Sequence, residues 1–178
     1  MMMTNGSGTH WSQAIAQTVL LALVAGAASA QTGAPAASTS YTWHAELVSH
    51  DTAKRTVTVK VAAVDPAVGE GLKKHRAGDR VLIHWSGIHA AAHGVRDVRA
   101  FDAALASKDE FMLPATLAAG QLENNYVTIA LAVPASAESG LKSVTPGAWI
   151  TLTSPHRPGA QADAVMSVRP YVMAPATS

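Results

Sequence analysis

The chain has no cysteine. That removes a disulfide framework, a thiolate nucleophile or metal ligand, and a lipid-modified cysteine. Aromatic residues make up only 5% of the chain, so any core must rest on Val, Ile, Leu and Ala. Charge of one sign is never concentrated: the formal net charge is +1 and the longest basic run is Lys73-Lys74. Such a surface offers no electrostatic footprint for a phosphate backbone, and nucleic acid is not expected as a partner. Reactive motifs are missing as well. Ser86 lies in Trp85-Ser86-Gly87, without the Gly-x-Ser-x-Gly of a nucleophile elbow, and no glycine-rich phosphate loop occurs. Asp51, Asp79 and Asp97 fit turns or surface positions better than catalytic ones. A non-catalytic protein is therefore expected, with no cofactor.

What is present divides by composition. The chain has 178 residues, 48% of them apolar and 14% charged, which is globular rather than disordered. Residues 1–30 are a separate material: an apolar run around Val19-Leu20-Leu21-Ala22-Leu23-Val24 closes on Ala28-Ser29-Ala30, the small-x-small ending of a signal-peptidase site. This stretch predicts a cleaved export signal, although its first thirteen residues carry no Lys or Arg. No second apolar run is long enough to span a bilayer. Export with cleavage leaves a soluble periplasmic or secreted protein. Residues 31–40, rich in Ala, Ser and Thr, read as a flexible leader.

The remainder alternates with the period of half-buried strands. Tyr41, Trp43, Ala45 and Leu47 share one face, and Val57, Val59 and Val61 share another, with His50-Asp51-Thr52-Ala53-Lys54 as the hairpin connection. Asp65-Pro66 ends the second strand. Residues 67–76 suit one or two helical turns, although Gly69 and Gly71 favour a loop. Gly78-Asp79 then turns the chain into a strand through Val81, Ile83 and Trp85. A last strand begins at Val95, where broken alternation suggests a bulge.

The same order of segments then returns. Tyr41, Ala45, Leu47 and Val57 correspond to Phe111, Ala115, Leu117 and Val127. After a one-residue deletion near Pro134, Gly71, Leu72, Lys73 and Gly78 correspond to Gly140, Leu141, Lys142 and Gly147. The first offset recovers to pair Val95, Val98, Arg99 and Phe101 with Val165, Val168, Arg169 and Tyr171. The expected organisation is two β repeats, 41–101 and 111–173, joined by a connector, 102–110, that suits a short helix, with a tail at 174–178. Units of this size bury little surface alone. The expected fold is all-β, with two OB-like barrel units in tandem, packed in contact or merged as one pseudo-symmetric barrel.

The first repeat has a strand, an Asp-containing hairpin, a Thr-Val-Thr-Val strand, a long connection, then Gly-Asp-Arg-Val and Arg-Asp-Val-Arg strands. Over about residues 45–101 this resembles the small OB-like barrels of periplasmic copper-chaperone-type proteins. The copper ligands of that family are a strand His, Met residues spaced two apart and a stacked Trp. Residues 59–74, where they would fall, have no Met, His or Trp. The resemblance implies the fold and not inherited copper binding.

Three features remain as candidates for function. His84, His89 and His93, spaced by five and four around a loop with Trp85, are the one concentration of ligating groups; they suit Cu(II), Zn(II) or Ni(II), or are surface histidines. Arg99 and Arg169, matched between repeats, read as a symmetric anion site or as a solvated strand face. Trp43, Trp85 and Trp149 stand at non-equivalent places, for packing between repeats or for a ligand groove. The function expected is a binding or adaptor role in the cell envelope, with an envelope protein as a possible partner. The alternative is metal handling, with Cu or Zn, through His84, His89 and His93.

Overall fold

The computed structural model describes residues 40–87, 92–157 and 164–172. The strands are β1 (Ser40–Asp51), β2 (Thr56–Ala62), β3 (Arg80–Trp85), β4 (Val95–Ala100), β5 (Met112–Leu117), β6 (Tyr126–Ala132), β7 (Trp149–Pro155) and β8 (Ser167–Pro170). Three short helices connect them, α1 (Ala67–Leu72), α2 (Ala103–Lys108) and α3 (Glu138–Lys142), the last preceded by a 3₁₀ turn, Ala135–Ala137. The all-β expectation holds. No helix among the described residues is long and apolar enough to cross a membrane.

Alternation places the side chains as the sequence predicts. β1 buries Tyr41, Trp43, Ala45 and Leu47, and β2 buries Val57, Val59 and Val61. A bulge after Leu47 turns Val48 outward before the hairpin. In the turn, an Asp51 carboxylate oxygen accepts the Lys54 amide at 2.9 Å, and Arg55 takes a positive φ of 52°. The bulge suggested by the broken alternation near Val95 is also present, where the β3–β4 register shifts between His84 and Trp85.

The barrels expected from the sequence do not form. All eight strands make one antiparallel sheet in the order β4-β3-β5-β6-β2-β1-β7-β8, and no ladder joins β4 to β8. The reason lies in where each strand finds its partner. β3, from the first half of the chain, pairs with β5 of the second, and β7 of the second pairs with β1 of the first. Edges that separate barrels would close on themselves are satisfied by the other half instead. A local return exists in the first half: Ala63 bridges Val95, and the Val64 amide donates to the Val95 carbonyl at 2.9 Å.

Exchanging β1–β4 with β5–β8 reads the strand order backwards and leaves it unchanged. The registers obey the same exchange. At the centre Val59 faces Ile129, flanked by Val57 with Leu131 on one side and Val61 with Val127 on the other. Ala45 opposite Ile150 matches Ala115 opposite Val81, and Ile83 opposite Val98 matches Leu152 opposite Val168. One continuous core draws on both halves, including Leu47, Leu117, Val59, Ile129, Ile83 and Leu152.

α1 and α3 lie against β4 and β8, and each does so through a glycine. A Cβ on Gly71 would fall on the carbonyl oxygen of Val98, and one on Gly140 on that of Val168. These residues keep the helices close to the outer strands, where Leu72 and Leu141 are fully buried. α2 is placed differently. It starts at Asp102, whose carboxylate accepts the Ala104 amide at 2.7 Å, and it covers the outer face of β3 and β5. There Leu82, Ala106 and Met112 form a second buried cluster with Phe101 and Leu105. Each fully buried Leu or Met contributes roughly 1.5–3 kcal/mol relative to exposure.

Tyr41 and Phe111, which correspond in the two halves, meet edge to face with centroids 5.0 Å apart. The Tyr41 hydroxyl is buried near Ser154 without a well-formed hydrogen bond to it, and burial pushes its ionisation above the usual phenol range, with Ser154 opposing. An unsatisfied buried hydroxyl costs about 1–3 kcal/mol. Tyr41→Phe, which installs the residue found at the matching position, is therefore expected to stabilise the protein by about 1 kcal/mol. Urea unfolding checks this, and a lower midpoint would mean that the hydroxyl is satisfied.

Candidate functional site

From Ser40 to Ala45, β1 pairs with β7 alone, because its pairing with β2 starts only at Glu46 opposite Lys60. The two strands therefore part, and the chain on either side of 88–91 returns close to the end of β2. Gly94 makes this approach possible, since a Cβ there would fall on the Ala62 carbonyl oxygen. Ser86 ties the base of the loop: its amide donates to the Gly94 carbonyl at 2.9 Å, and its hydroxyl accepts the Gly94 amide at 3.0 Å. The serine without a nucleophile motif thus has a structural task.

A cleft of about 280 Å³ lies at this opening, lined by Thr42, Trp43, His44, Trp85, His93 and Trp149. Trp43 and Trp85 form its floor, only 2% and 3% exposed, with ring centroids 4.9 Å apart. The Trp43 indole N–H donates to the buried Ser154 hydroxyl at 2.8 Å. Ser154 holds the position that matches Trp85, so the small residue in one half makes room for and satisfies the large ring beside it. Trp43 and Trp85 thus pack on each other within the first half, with Ser154 as the contact to the second, and also line the cleft. Trp149 differs, since it is 50% exposed at the rim.

The predicted histidines are distributed as follows. His93 lines the cleft, its Nδ1 3.2 Å from the Gly87 carbonyl oxygen. His84 lies on the outer face of β3, opposite Asp97 on β4 and Met112 on β5, while its neighbour Trp85 turns into the core. Successive strand residues point to opposite faces, so Trp85 does not shield His84. Partial burial and the nearby Arg99 and Arg96 lower the His84 pKa, against the opposing pull of Asp97 and Asp109. His89 lies outside the described residues. Among the described residues, no group of three or more His, Asp or Glu is placed to hold a metal ion.

His44 escapes a sequence reading, because in β1 it is one of several polar residues on the solvent side. Its importance comes from the β1–β7 pairing, which sets it opposite Thr151, with His44 Nδ1 3.2 Å from the Thr151 hydroxyl oxygen. Tyr171 meets its ring edge-on at 4.6 Å. Desolvation, Arg169 and His93 together lower its pKa, so the ring is held neutral near pH 7. Trp149 was visible in the sequence, but not its company. The arrangement offers flat aromatic surface, imidazoles and hydroxyls, and among the described residues of the cleft no nucleophile is paired with a base. No protein-family model matches this chain, and no curated protein or solved structure is significantly similar to it.

Proposed function

We propose that this chain is an exported, non-catalytic binding protein of the cell envelope, built by duplication, and that it takes a ligand at the tryptophan–histidine cleft. The observation that carries the reading is the half-exposed Trp149 beside His44 and His93 at an opening floored by Trp43 and Trp85. Aromatic rings around a concave surface, with a few orienting polar groups, are the usual composition of a small-molecule site. Duplication is supported by the exchange symmetry of the registers and by the twin glycines Gly71 and Gly140. Export is supported by the apolar run and by Ala28-Ser29-Ala30. An OB-like ancestry for each half is part of the same proposal, and the bridge from Ala63 to Val95 favours it.

Native mass spectrometry of protein recovered from the envelope tests both parts. The expected species begins at Gln31 and carries a bound small molecule, which a Trp149→Ala/His93→Ala variant loses. Protein that retains residues 1–30, or a co-purified ligand retained equally by the variant, overturns the corresponding part. Metal handling is the second reading, favoured by two imidazoles, His44 and His93, on one cleft. On this reading His89 adds a further ligand and the ion is Cu(II) or Zn(II), while His84, on the outer face of β3, takes no part. Calorimetric titration with either ion decides it: binding unchanged in a His89→Ala/His93→Ala variant removes the metal reading.

A further inference from the structure

The outer faces at the two ends of the sheet share one plan and are finished differently. At the β5–β3–β4 end, Leu82 sits between Pro114 and Arg99. At the β1–β7–β8 end, the matching positions put Thr151 between His44 and Arg169. Leu82 lies in the buried cluster completed by α2. At the β1–β7–β8 end Tyr171, which matches Phe101 of that cluster, is 40% exposed.

The arginines differ in the same way. Arg99 donates through Nε to Asp97 at 2.6 Å. At the position of Asp97 the other end has Ser167, and among the described residues no carboxylate pairs with Arg169. Arg99 and Arg169 therefore do not form one symmetric anion site: they stand on the two edge strands, β4 and β8, and Arg99 is already paired within the protein. Arg169 instead faces a groove of about 330 Å³ together with His44, Thr151 and Tyr171. Where Thr151 donates its hydroxyl proton to His44 Nδ1, the neutral ring carries a proton on Nε2 as a further donor. A guanidinium and an N–H donor are the complement of a carboxylate.

His44 is the residue that lines both this groove and the tryptophan cleft. We propose that together they form one site for a small aromatic carboxylate, with the ring at Trp149 and the Trp43–Trp85 floor and the carboxylate on Arg169 beside His44. This rests on the cleft reading and adds the class of ligand. The Arg99–Asp97 pair at the other end is the internal image of the contact Arg169 makes with its ligand.

The test compares phenylacetate with its neutral isostere phenylacetamide, each titrated into the purified protein and followed through the Trp149 indole and His44 imidazole resonances. Phenylacetate is expected to shift both and to bind at least about tenfold more tightly than the amide. Arg169→Gln should bring phenylacetate down to the level of the amide and leave the amide's own binding unchanged. Arg99→Gln, at the other end of the sheet, should change neither. If acid and amide bind alike at the cleft, or Arg169→Gln has no effect on the acid, the carboxylate proposal fails and the cleft reading stands. If neither compound moves the Trp149 or His44 resonances, the proposal fails together with the cleft as a site for aromatic ligands.

Discussion

The fragment 41–101, expressed alone, is expected not to fold as a monomer. Separated from the rest, β2 loses β6, β1 loses β7 and β3 loses β5, leaving the hairpins β1–β2 and β3–β4 with α1 between them. Isolated hairpins are marginal in water. The apolar faces of Val57, Val59, Ile83 and Trp85 would lose the partners that bury them. The fragment 111–173 is in the same position. Since a domain's whole stability is about 5–15 kcal/mol, losing half of a shared core removes all of it. Mixing the two fragments should restore the sheet and a cooperative transition. The β2–β6 register allows one other outcome: because it is symmetric about Val59 and Ile129, fragment 41–101 can also pair with a second copy of itself, Val59 against Val59. Circular dichroism with light scattering separates these states, and a folded, monomeric half would refute the interleaved pairing.

How far the sequence could be read depended on the kind of information involved. Facing was legible, because alternation is a local property: Trp43, Leu47, Val57 and Val61 are buried as their period requires. The matched positions were legible too, and Gly71 with Gly140 now has a common cause in the carbonyls of Val98 and Val168. Partnership was not legible. A half-buried strand states which face turns inward and not which strand lies beside it, so two closed units and one interleaved sheet write the same pattern. The candidate site depended on partnership. His84 and Trp85 are adjacent in sequence and therefore on opposite faces, whereas His44 and Arg169 are brought near each other by a β1–β7–β8 pairing that no local signal announces. The difference between Arg99 and Arg169 likewise turns on one residue two positions away, Asp97 against Ser167, which acquires meaning only once the strands are paired.

Gly140→Ala is expected to destabilise the protein by about 3 kcal/mol, against the direction that helix propensity gives. By propensity alone, replacing Gly with Ala inside a helix favours the fold by up to about 1 kcal/mol. Here the added methyl meets the Val168 carbonyl, with backbone behind it. β8 cannot yield freely, because Val168 is registered against Leu152 on β7. α3 must lift instead, and with it Leu141, which is fully buried in the shared core. Gly71→Ala should behave alike, through Val98 on β4. Gly69 supplies the control within α1: a Cβ there meets only the Leu122 Cδ1 at 3.8 Å, an ordinary contact. Gly69→Ala should therefore follow propensity and raise stability by about 0.5–1 kcal/mol. Urea unfolding of the three variants gives the comparison. Opposite signs for Gly69→Ala and Gly140→Ala support the account in which the glycines exist to let short helices close on the outer strands. A Gly140→Ala variant as stable as the parent would show that α3 does not need that approach.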